Sequence, residues 1–159
     1  MTATRRQLRF ASLDDAVRDA EALLANGYTK TGNWDLAQVC NHLSDWLSFP
    51  VDGFPTMPIV IRPLFWVMRT TIGRKKYEGY VRDQSFPPGK PTMPQTVHKP
   101  DEDERAAVAR LKDTTERFMA HTGVIHPSPL FGPLTKDEAL AMQLVHCAHH
   151  LSFLIPRTL

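Results

Sequence analysis

Nine of the 13 prolines in this chain fall between residues 50 and 100. Proline lacks a backbone N–H and clashes with the preceding helical turn, so long regular elements are confined to the two flanks of that stretch. Both flanks carry helical punctuation and helical spacing of apolar residues.

On the N-terminal flank a helix is predicted over 13–25. Ser12 is its cap, Asp14 and Asp15 sit in its first turn, and Gly27 lies where it stops. Ala16, Ala20, Leu23 and Leu24 form its apolar face. A second helix is predicted over 34–49, capped by Asn33 and ended by Pro50, with Leu36, Val39, Leu43, Trp46 and Leu47 as its stripe. Within the proline-rich stretch the reading allows a short helix over 63–72 and a long loop over 86–100, of the kind that covers a site or an interface.

On the C-terminal flank a third helix is predicted over 101–121, opening on the acidic run Asp101–Glu104. Ala107, Leu111, Thr115 and Phe118 form one face, and Gly123 lies past its end. After a turn-rich link over 122–134, Thr135 and Glu138 make a capping box for a fourth helix running to about Ile155, where Pro156 stops it. The expected fold class is all-α. It is a four-helix bundle with a long Pro-rich connection between helices two and three, forming a single domain over 1–159.

Composition excludes several alternatives. Apolar residues make up 42% and charged residues 23%, as in an ordinary folded domain, and the net charge of +2 gives no footing for a nucleic-acid binder. Cys40 and Cys147 form no CxxC and no disulfide framework, which points to a reducing cytoplasm. The first ten residues lack a signal peptide's apolar core, and the most apolar stretch, 57–68, is interrupted by Pro58, Arg62 and Pro63. No membrane association is expected.

The chemistry-bearing residues are the histidines. His146 and His150 are four apart, so they stand one turn from each other on one helical face, where two imidazoles can chelate one ion. The HExxH arrangement has a glutamate after its first histidine; here that position is Cys147, so the built-in general base is missing. On a helical projection Leu140, Leu144, Cys147, Leu151 and Leu154 form the apolar stripe of helix four. His146, His150 and Gln143 flank it, and His149 lies nearly opposite, toward solvent, a partner or the second layer around a site. A His146/His149 pair is the second-best choice. A divalent site wants a third protein ligand. His42 is the best candidate, because it flanks the stripe of helix two beside Trp46 as the pair flanks that of helix four. The competing reading makes each of these a satisfied, half-buried core histidine, and spacing alone does not decide between the two.

Three stretches carry a family resemblance. Asn33-Trp34-Asp35-Leu36-Ala37-Gln38-Val39-Cys40-Asn41-His42-Leu43 resembles the second helix of the DinB/YfiT-like superfamily of metal-dependent four-helix proteins, with its ligand histidine. Leu144-Val145-His146-Cys147-Ala148-His149-His150 resembles its last helix, and Pro129-Leu130-Phe131-Gly132-Pro133-Leu134-Thr135 is similar to a segment ahead of that helix in one branch of unknown function. The resemblance implies a three-histidine metal site of His42, His146 and His150, with zinc or nickel as the cofactor, and often a homodimer. Characterised members include transferases and isomerases that use low-molecular-weight thiols. Where that superfamily often has Arg-Gly-Gln after the last histidine, this chain has Leu151-Ser152-Phe153, so a thiol role gains nothing from those positions.

The remaining features have mundane readings first. The basic segment 62–99 is read as a solvated loop balanced by the acidic start of helix three, with an anion or nucleic-acid surface as the alternative. Cys40 and Cys147 project toward the stripes as small core residues. Trp34, Trp46, Trp66 and Phe153 are most simply core, with Trp46 able to wall a pocket. His98 and His126 are surface or structural, His126 being the one expected nearer the site. The leading function is a metalloenzyme acting on a small molecule by transfer or hydrolysis, with no catalytic base identifiable. The alternatives are a non-catalytic bundle with structural histidines or metal, and a nucleic-acid or regulatory module using 62–99.

Overall fold

The computed structural model describes residues 4–56, 58–89 and 92–157. Helix α1 (Leu13–Asn26) begins at Ser12, whose side chain and Asp15 bond each other's backbone reciprocally. Strand β1 (Tyr28–Lys30) follows. Helix α2 (Leu36–Asp52) is capped by Asp35 in a reciprocal box with Gln38, not by Asn33 as expected; the Asp35 carboxylate accepts from the Gln38 amide at 2.8 Å.

Pro50 does not end α2 but lies inside it. Its missing N–H leaves the Trp46 carbonyl, four residues earlier, without its helical donor. Gln143 of the last helix supplies one, its Nε2 donating to that carbonyl at 2.8 Å. The proline is accommodated because a neighbouring helix satisfies the group it orphans.

The proline-rich stretch is more helical than its composition predicts. Helix α3 (Arg62–Met68) runs through a wider, π-type turn (Arg69–Gly73) into α4 (Arg74–Asp83), followed by a single 3-10 turn at Pro94–Thr96. The expected helix over 63–72 is thus only the first part of a longer run. The rest escaped a periodicity reading because α4 buries one residue, Tyr77, and is otherwise dominated by charge. Gly73 makes the run's close approach to the 130–131 loop feasible: a Cβ there would lie 2.5 Å from the Leu130 carbonyl oxygen.

Helix α5 (Glu104–Ala120) starts at Asp103, whose carboxylate caps Arg105 and Ala106. Helix α6 (Lys136–Leu151) starts at Thr135 with the expected capping box to Glu138. It ends four residues short of the predicted Ile155. There the backbone leaves the helix for strand β2 (Leu154–Pro156), which pairs antiparallel with β1, Thr29 opposite Ile155. The strand pairing satisfies backbone groups that a longer helix would have used internally.

The fold is therefore predominantly helical with one small two-stranded sheet. Helices α1, α2, α5 and α6 pack against one another, and α4 lies on α6. Their shared core includes Leu23, Leu36, Leu43, Leu111, Phe118 and Leu151, all essentially inaccessible. Cys40 and Cys147 are buried in that core, as expected. Trp66 is not: it is 58% exposed on α3, in a run with the exposed Ile59, Val60 and Leu64. No helix among the described residues is long and apolar enough to cross a membrane.

Candidate metal centre

His42 enters from α2 and is fully buried; His146 and His150 enter from successive turns of α6. One ring nitrogen from each lies within 4.8 Å of the other two, a grouping that could hold a metal ion. The Nε2 atoms of His42 and His146 are 3.2 Å apart. Two ligands about 2.0–2.1 Å from a tetrahedral zinc would be roughly 3.3–3.4 Å apart, so the pair is already spaced as the edge of such a polyhedron.

The surroundings fix ring orientation. Nδ1 of His42 donates to the Thr96 carbonyl at 3.0 Å, which places the ring's one proton there and leaves the Nε2 lone pair facing the cluster. Trp34 stacks on His150 with centroids 5.3 Å apart and planes 10° apart, and meets His42 edge-on. Burial lowers the His42 pKa to about 4, partly opposed by the bond to Thr96 and by Asp45. His146 and His150 are lowered well below the ordinary value, first by burial and then by the neighbouring imidazoles. All three are consequently neutral near pH 7, the form in which a histidine ligates.

His149 stays out of the cluster. An arginine can only donate, so Arg5 Nη2 gives its proton to His149 Nδ1 at 3.1 Å, and the neutral ring keeps its own proton on Nε2. The ring also hydrogen-bonds the Phe86 backbone. It borders a cavity as a tie between the N-terminal segment and the 86–89 loop. His98 bonds Asp45 at 2.8 Å and, like His126, does not line the cavity. His126, expected nearer the site, instead gives its backbone N–H to the Pro50 carbonyl.

The three histidines open onto a cavity of about 630 Å³ between α2, α4 and α6, within the range of small-molecule sites. Its walls include Trp34, Trp46, Tyr80, Phe86, Phe131 and Phe153. Asn33, expected as a cap, is one of its lining residues. No aspartate or glutamate lines it among the described residues. The cysteines are no candidates for a nucleophile either: burial raises both thiol pKa values, that of Cys147 to about 12. Lys76 and Tyr80 line the cavity from α4, in the basic segment read first as a solvated loop with an anion surface as the alternative, and Phe86 lines it from the loop expected to cover a site.

Fold and cavity together define a helical protein with a three-imidazole cluster at the wall of an aromatic pocket. The chain belongs to a family described as a protein of unknown function, DUF1569, whose profile matches residues 2–157. No curated protein and no solved structure matches it.

Proposed function

We propose that this protein is a DinB/YfiT-like four-helix bundle that binds zinc or nickel through His42, His146 and His150 and catalyses transfer or hydrolysis on a small molecule. The observation that carries the reading is the convergence of three neutral imidazoles, one buried and two half-buried, within 4.8 Å, with the tautomer of His42 set by Thr96. When bound, the ion supplies Lewis acidity toward an oxygen or thiol of the substrate. The protein's own part is to hold the ligands, to lock His150 under Trp34, and to keep water away with the aromatic walls. No carboxylate or reactive thiol lines the cavity among the described residues, so no catalytic base is assigned. A low-molecular-weight thiol as cosubstrate and a homodimer belong to the same proposal, on the resemblance alone.

Metal analysis of protein purified without a histidine tag tests it. The expected result is one divalent ion per chain, lost in His42→Ala and His146→Ala while both variants keep their helical circular dichroism. Sub-stoichiometric metal unchanged by either substitution would leave the histidines structural. Salt-sensitive binding to random DNA would favour the nucleic-acid reading instead.

A further inference from the structure

The cavity walls are mostly rings and alkyl side chains, with Asn33, Thr92 and Gln143 as neutral polar groups. Lys76 on α4 is the one lysine or arginine among the described lining residues, and no carboxylate faces it there. Two arginines of the surrounding segments are already committed: Arg74 to Glu78 and Glu138, and Arg5 to His149 and Ser152. Lys76 is bonded to no carboxylate among the described residues. Lys76 is exposed, and an unpaired cation on the wall of a largely apolar pocket favours negative charge on an otherwise apolar guest. A single ammonium suits a monoanion. A phosphate group would call for several converging cationic donors or a helix N-terminus, and the described lining residues offer neither around Lys76.

We propose that the cavity takes a small aromatic or branched aliphatic carboxylate, its apolar body between the rings of α2 and the 86–89 loop and its carboxylate on the Lys76 ammonium. The guest's other polar end then faces His42, His146 and His150. That last placement rests on the metal-site reading above, whereas the Lys76 contact does not.

The test uses three probes of one shape: 4-phenylbutyrate, its neutral amide and 4-phenylbutylamine. Binding is followed by calorimetry at low salt, on the zinc-loaded protein and after zinc removal, with zinc content measured for every sample. The carboxylate is expected to bind about five- to tenfold tighter than the amide, with the amine weakest. Lys76→Gln removes that preference, and Lys76→Glu turns it toward the amine, in both metal states and with zinc content unchanged. A preference that survives Lys76→Gln and disappears with zinc would put the carboxylate on the metal and overturn the assignment to Lys76. Equal binding of all three probes would overturn it as well. Failure to hold zinc would sink the metal reading alone, because the Lys76-dependent preference is read independently in the metal-free protein.

Discussion

His149 and His150 are adjacent in sequence and have opposite duties. The backbone turns about 100° per residue in a helix, so one ring joins the cluster and the other leans on Arg5 and Phe86. Substituting them should separate the two roles. His150→Ala is expected to abolish tight metal binding, whereas His149→Ala should retain one ion per chain and weaken affinity by no more than about 10–100-fold, the range of outer-layer partners; equilibrium dialysis reads both. Protonation is the second residue-scale consequence. His42 titrates near 4 in the folded chain and near 6.5 when unfolded, so the unfolded state takes up the proton first as pH falls. The stability of the metal-free protein is therefore intact above about pH 6.5 and declines toward pH 4, by roughly 3 kcal/mol from His42 alone. His146, His149 and His150 shift in the same direction and steepen the loss. Urea titrations across pH 4–7.5 would show it, and a flat profile would contradict the burial of these rings.

At the level of elements, the α3–α4 run owes its place to Gly73. Gly73→Ala puts a Cβ against the Leu130 carbonyl, and the expected cost is about 1–3 kcal/mol from overpacking. A gain in helix propensity of up to about 1 kcal/mol opposes it. Chemical denaturation should give a net loss, with weaker probe binding because the wall carrying Lys76 is pushed away. This is also where legibility in the sequence ran out. The faces of α1, α2, α5 and α6 are read from apolar spacing and caps, and His42 and the α6 pair from their positions on those faces. Helix α4 has one buried side chain and no stripe, so its role as a cavity wall follows from packing that pattern cannot encode. The end of α6 was misjudged for a related reason. Leu154 is buried whether residues 152–156 are helix or strand, and only the pairing with β1 decides.

Across the whole molecule, the site is assembled from distant parts of the chain. Thr96 orients His42, Trp34 precedes α2, and Arg5 and Arg6 tie the N-terminal segment to Ser152, His149 and Asp19. Anything that binds the folded site stabilises the entire fold by mass action. Free zinc at 1,000 times its dissociation constant should add about 4 kcal/mol, and chelation should remove it, seen as a drop in melting temperature. His42→Ala should show no zinc-dependent shift.

The Pro50–Gln143 contact reaches beyond the single chain. A residue with its own N–H at position 50 would reclaim the Trp46 carbonyl for the α2 ladder and release Gln143 from its duty. The two positions are 93 apart in sequence, yet they answer to one hydrogen bond. Across the family they should therefore vary together: where the proline is replaced, the glutamine is free to drift, and where it is kept, a donor should be kept at the α6 position.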